Sequence, residues 1–229
     1  MFRATSQNMR TRLIGLLVAV AVLTAGCTGV LLGDEDLVFE SGQTTIGNET
    51  LEETGYELHS TGTETFNETV SVTDDEGGTQ VVVHSHSALY GPESDLPAGV
   101  GTVQLGLITT PDATVAGQSV NPLLRFDTRD RVFRFLPEVD DSGLEEYGNY
   151  TVEPFGESVT VTVFASETDG GETPDAFVHV MQTPSPDGDD VVLAYATVPG
   201  ESDEHRTVER LFSAIEHVPA EETSGTDAE

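Results

Sequence analysis

His84 and His86 stand two residues apart in the alternating run QVVVHSHSALY, residues 80–90. Side chains two apart on an extended strand point to one face, so the two imidazoles could share a metal ion. A usable site needs further ligands, and His59 and His179 are the histidines on other predicted strands that could supply them. The simpler alternative is two polar residues on the solvent face of a half-buried strand, which needs no partner. Two acidic clusters, Asp74-Asp75-Glu76 and Asp187-Gly188-Asp189-Asp190, offer the oxygen ligands that calcium takes. Neither follows the spacing of a dedicated calcium loop, and with 41 acidic residues in the chain such clusters are expected in turns. No G-x-S-x-G, H-E-x-x-H or phosphate-cradling glycine loop is present, so no catalytic residue and no cofactor is predicted. The stretch from Val115 to Pro122 offers a different chemistry. Gly117 and Asn121-Pro122 predict two tight turns around a short strand, which either present a binding loop at a sheet edge or merely reverse the chain.

Cys27 is the only cysteine. Arg10 and Arg12 form a positive n-region, Leu13 to Leu23 is uninterruptedly uncharged, and Thr24-Ala25-Gly26 supplies small residues before the thiol. This resembles a lipoprotein signal peptide with the box LTAGC at 23–27. The resemblance implies that residues 1–26 are removed, that Cys27 is the lipid attachment site, and that 27–36 is a short acidic linker. Met9 is an alternative start to Met1. Thr11 separates the two arginines, which points to the general secretory route and away from the twin-arginine one. The competing reading is an uncleaved anchor, since no charge occurs from Leu13 to Gly33 and a bilayer core needs roughly 20 apolar residues. In both readings arginines precede the segment and none follows until Arg125, so the positive-inside rule places the acidic domain on the extracellular side.

The formal net charge is −32 and there is no lysine. Six of the nine arginines and all 41 acids follow Cys27, leaving −35 on that part of the chain. Self-repulsion of that density destabilises a compact domain in dilute buffer. In molar salt the Debye length is about 3 Å, so the repulsion is screened while the carboxylates keep the surface hydrated. The composition therefore predicts a halophilic, acidic protein. It excludes a nucleic-acid partner, whose phosphates would be repelled. Three N-x-T sequons, at Asn48, Asn67 and Asn149, are candidate N-glycosylation sites for an exported chain.

To position these residues the chain must supply mostly strands. Alternation predicts them at 56–62, 64–73, 79–90, 101–110, 144–153, 158–166, 175–182 and 190–198, with turn residues between. Asn48 is expected to cap a short helix ending at Gly55. Ser202 is expected to cap a C-terminal helix with Val208, Leu211, Phe212 and Ile215 along one stripe. A further helix candidate covers Asp127 to Phe135, where RVFRF reads equally as a strand by alternation, and Pro137 ends it in both cases. The expected fold is α+β, a largely antiparallel sheet with the C-terminal amphipathic helix packed on one face; the runner-up is a β-sandwich with peripheral helices. One domain is expected over 37–218, followed by a disordered acidic tail at 219–229.

The segments LEETGY at 51–56, LITTPDATVAGQSVNPL at 107–123 and DVVLAYATVPG with VERLFSAIEHV at 190–218 resemble a haloarchaeal lipoprotein family of unknown function. Its most specific piece here is Thr110-Pro111 followed by Val115, Gly117 and Asn121-Pro122. The family carries no assigned activity, so it transfers no catalytic residue. Where its members commonly have an aromatic-containing segment, this chain has HSHSALY. By layout alone the strand series closed by a helix is similar to the PsbP/Mog1-type fold of accessory and adaptor proteins. The expectation is a lipid-anchored extracytoplasmic binding or accessory module, attached to the membrane through Cys27, with a protein or small-molecule partner. The alternatives are a cell-surface hydrolase or metal-dependent enzyme and a structural envelope component.

Overall fold

In the computed structural model the described residues are 36–71, 78–92, 103–125, 144–166 and 174–220. The N-terminal segment with Cys27, the cluster Asp74-Asp75-Glu76, the candidate helix at 127–135 and the tail at 221–229 lie outside them. The chain divides into two compact units, Met1–Leu37 with Asn67–Val82, and Val38–Phe66 with Val83–Glu229. In the first, Val70, Thr79 and Val81 are buried and Gly78 leaves room for the Thr69 methyl.

The described residues are mostly sheet, with two short helices. The strands are β1 (Leu37–Glu40), β2 (Gln43–Ile46), β3 (Tyr56–Ser71), β4 (Gly78–Pro92), β5 (Gln104–Pro111), β6 (Thr114–Val115), β7 (Gln118–Ser119), β8 (Leu144–Val152), β9 (Val159–Ser166), β10 (Ala176–Pro184), β11 (Asp190–Pro199) and β12 (Ile215–Val218). The helices are α1 (Asn48–Thr54) and α2 (His205–Ser213). The eight-stranded sheet runs β1-β4-β5-β11-β10-β9-β8, with β3 pairing to β4. The registered pairs within it, from β4·β5 to β8·β9, are antiparallel.

Alternation explains the two-sided core. On β10, Phe177 and Met181 join one apolar cluster while Val178 and Val180 join another; on β11, Ala194, Ala196 and Val198 face the first while Val191 and Leu193 face the second. A strand buried on both faces reads as a continuous apolar run, as these do. Val208, Leu211 and Phe212 of α2 are fully buried in the first cluster. Their i, i+3, i+4 spacing puts them on one stripe, and each is worth about 1.5–3 kcal/mol of transfer free energy. The second cluster takes Leu123 from the 3-10 turn Pro122–Arg125. Gly106 on β5 faces Tyr195 on β11, and a Cβ there would collide with the phenol ring.

Several local expectations are corrected. Strands 56–62 and 64–73 are one strand, β3, because Gly62 accommodates the Ser87 hydroxyl of its neighbour and does not break the ladder. Asn48 is the first helical residue of α1 and not its cap; the cap is Gly47, whose carbonyl accepts from Leu51 N–H. Gly55 closes α1 in the left-handed region at φ 71°, as expected. Ser202 lies in a turn ahead of α2, its hydroxyl accepting from Glu204 N–H, and Glu204 is the cap residue. Ile215 belongs to β12, not to the helix stripe, since Ala214 N–H bonds back to the carbonyls of Arg210 and Leu211 and ends the helix. The two-residue hairpin β6–β7 turns through Ala116 (φ 51°) and Gly117 (φ 78°), the expected tight turn.

Candidate functional site

The polar groups of the second unit gather in three places. The first lies beneath α2. His179 enters from β10 in the apolar run AFVHVMQ, points to the α2 side of the sheet, and is 2% exposed. A buried imidazole must find partners. Tyr150 of β8 meets its Nδ1 at 2.9 Å, and His205, the first residue of α2, meets its Nε2 through Nδ1 at 3.0 Å. Burial first, and then His205, hold the His179 pKa at about 4. Burial also pushes the Tyr150 hydroxyl well above its ordinary range, with Glu209 adding to the effect. At neutral pH His179 is therefore uncharged and Tyr150 keeps its proton. With the Tyr150 O–H donating to Nδ1, the single ring proton of His179 sits on Nε2 and is donated to His205. Phe177 and Tyr147 continue the chain outward, Phe177 meeting the His205 ring edge-on at 4.9 Å and Tyr147 meeting Phe177 at 5.1 Å.

Above this relay α1 and α2 leave an open groove of about 620 Å³, lined by Thr50, Glu53, Arg206, Glu209, Arg210, Ser213 and Ala214. Arg206 and Arg210 are one helical turn apart on the exposed face of α2, the i, i+4 relation. Arg210 pairs with Glu53 across the groove, but both side chains are more than half exposed, so the pair contributes little to stability. Glu209 belongs both to the groove and to the electrostatic surroundings of Tyr150.

The second place is the β10–β11 turn, where the acidic run 187–190 is used internally. Asp190 is buried; its Oδ2 accepts from His217 Nε2 at 2.8 Å and from Gly42 N–H at 2.9 Å. Burial raises its pKa in spite of those two bonds. Ser185 donates to Asp187, lowering the Asp187 pKa, and His217 Nδ1 lies 3.7 Å from that same carboxylate. The His217 side chain is 2% exposed between the two acids. The geometry is that of a clamp, because both ring nitrogens face protein carboxylates.

The third place holds the candidate pair. His84 Nδ1 meets the Thr65 hydroxyl at 2.9 Å, and His86 Nδ1 meets the Ser41 hydroxyl at 3.2 Å. The Ser41 hydroxyl donates to the Thr109 carbonyl, and Thr109 donates to Thr44. These bonds fasten the start of β2 to β4 and β5. His59 lies against Gly91, and His179 lies with Tyr150 and His205. Among the described residues no group of three or more His, Cys, Asp or Glu could hold a metal ion. Of the loop 115–122, Asn121 is buried, its Oδ1 accepting from Leu123 N–H, while its Nδ2 has no partner.

Sequence reasoning singled out His179 only as a spare metal ligand and missed Tyr150, His205 and the two arginines. Their separations of 29 and 26 residues carry no spacing signal. The available clue was a histidine inside an apolar strand, which has to be partnered from another element. Asn48, Asn67 and Asn149 are all exposed. No helix of the described residues is long and apolar enough to cross a membrane.

Residues 43–216 match the family model described as "Domain of unknown function (DUF6517)". No curated protein matches the chain.

Proposed function

The chain belongs to the DUF6517 family, and from that premise we propose a lipid-anchored, extracytoplasmic binding or accessory module of a halophilic archaeal cell. The anchor rests on the LTAGC box at 23–27 with arginines only on its N-terminal side. Two lipid chains on Cys27 would suffice for stable attachment, whereas one would bind only marginally. The observation that carries the binding half is the groove between α1 and α2. It brings Arg206 and Arg210 together in a chain that carries 41 acids. Arg206 is free to take an acidic group of a ligand or partner, and Glu209 beside it to take a hydroxyl or a cation. The accessory half also leans on the strand series closed by a helix, similar in layout to the PsbP/Mog1-type fold, which by itself carries no activity.

Native mass spectrometry of the protein extracted from its own high-salt membranes tests both halves. The expected result is a lipid mass on Cys27, and a denaturation-sensitive companion, small molecule or polypeptide, that is lost in Arg206→Ala/Arg210→Ala. A Cys27→Ser protein still held in the membrane would count against the lipid anchor. A companion retained by the double arginine variant would count against the groove.

A further inference from the structure

Two of the three sequons lie on β3 and β8, strands that each pair with one neighbour among the described residues, and that placement is unlike the surface loop in which a sequon is usually expected. Among the described residues β8, at one end, pairs only with β9. At the other end stands β3. Ser87 of β4 lies against Gly62 of β3, and Gly91 of β4 lies against His59. Over that same stretch β4 pairs with β5 through residues 86–90. A strand has two edges, so β3 and β5 flank β4 on opposite sides, and among the described residues β3 pairs with no other strand. Among the described residues the outer edge of β3 is therefore open along a 16-residue strand whose side chains from Glu57 to Thr65 are all exposed.

Open edges present unpaired N–H and C=O groups and invite pairing with a second copy, and proteins blunt them with charge, bulges or cover. β3 carries Glu57, Glu64 and Glu68, and β8 carries Glu145, Glu146 and a bulge between Glu146 and Gly148. In molar salt the carboxylates guard poorly, because their repulsion is screened within about 3 Å. Steric bulk is not screened. Asn67 and Thr69 lie on β3, Asn149 and Thr151 on β8, and all four are exposed. Residues two apart on a strand share a face, so each asparagine and its sequon hydroxyl are presented together. At Asn149 the intervening Tyr150 points the other way, to His179. Asn48 differs: it opens α1, and its sequon partner Thr50 lines the groove.

We propose that Asn67 and Asn149 carry N-linked glycans that shield the outer edges of their own strands, β3 and β8, against edge-to-edge pairing in brine. In the transfer, Nδ2 of each asparagine attacks the anomeric carbon of a lipid-phosphate-linked oligosaccharide. A C–N bond forms, the anomeric C–O bond to phosphate breaks, the amide proton passes to a base and the lipid phosphate leaves. No electron is gained or lost. The modification rests on the extracytoplasmic location proposed above.

The test is peptide mapping of the chain isolated from its own cells, with an acid-specific protease because lysine is absent, followed by sedimentation of the intact protein in molar salt. The expected result is glycan mass on the peptides containing Asn67 and Asn149, and self-association of Asn67→Gln/Asn149→Gln at concentrations where the native protein is monomeric. Thr69→Ala/Thr151→Ala, which keeps both asparagines but removes both sequons, should behave alike and guards against a folding defect peculiar to the first variant. Bare Asn67 and Asn149 on a chain that bears lipid at Cys27 would overturn this proposal and leave the anchored module standing. Bare asparagines on an unlipidated, internal chain would overturn both. Glycosylated protein whose sequon variants stay monomeric would overturn the edge-sealing role.

Discussion

Replacing His179 by Gln should remove a specific part of the acid sensitivity of this fold. His179 is 2% exposed, and its pKa is held at about 4 against the ordinary 6.5. The unfolded chain therefore takes up a proton near pH 6.5 that the folded chain refuses until about pH 4. Above pH 6.5 neither state is protonated and the penalty is absent; as pH falls from 6.5 towards 4 it grows, and below that it stays constant. A difference of about 2.5 pKa steps corresponds to about 3 kcal/mol, a large share of the 5–15 kcal/mol typical of a domain. The surface carboxylates act in the opposite sense over part of this range, since protonating them relieves self-repulsion. The wild-type curve alone is thus a sum, and the difference between wild type and His179→Gln isolates the imidazole. The assay is denaturant unfolding in molar salt at pH 7, 6, 5 and 4. At pH 7 the variant should be the less stable, having disturbed the bonds to Tyr150 and His205. Its deficit should shrink by about 3 kcal/mol by pH 4. A deficit that is the same at all four values would refute the argument that His179 is buried neutral.

Two further substitutions probe packing and backbone. Gly106→Ala places a methyl in the Tyr195 ring; a loss of about 1–3 kcal/mol is expected from overpacking, read as a lower denaturant midpoint, and Tyr195→Ser in the same chain should recover the clash part of it. Ala116 occupies the left-handed region in a two-residue hairpin that ordinarily takes Asn-Gly. Ala116→Asn should raise stability by about 0.5–1 kcal/mol and Ala116→Val should lower it, both by thermal unfolding.

What the sequence disclosed followed the range of its signals. The run VTVTVFAS alternates and DVVLAYATV is a nearly continuous apolar run, each bounded by turn residues, and β9 and β11 lie where those patterns put them. The four-residue strands LVFE, QTTI and IEHV are too short to show a period, and β12 was masked further because Ile215 continues the stripe of α2. Gly62 looked like a break in β3 because a glycine weakens a strand taken alone; only the cross-strand Ser87 shows its use. The polar sites were the least legible. Tyr150, His179 and His205 come from two strands and a helix, and Gly42, Asp190 and His217 from three separate turns and strands. Their meeting is a property of the strand order, which no local pattern encodes.

The β2·β12 pair sets an order of events. It joins Ile46 to Ile215 and Gln43 to Val218, partners roughly 170 residues apart. Closing so long a loop adds only slowly to the entropic cost, but contacts of this separation fold late. In the export proposed above, N-terminus-first passage across a membrane would bring out residues 43–46 without their partner, and Asp190 without His217, until 215–218 followed. The chain would stay open and threadable throughout transfer and close only on its far side.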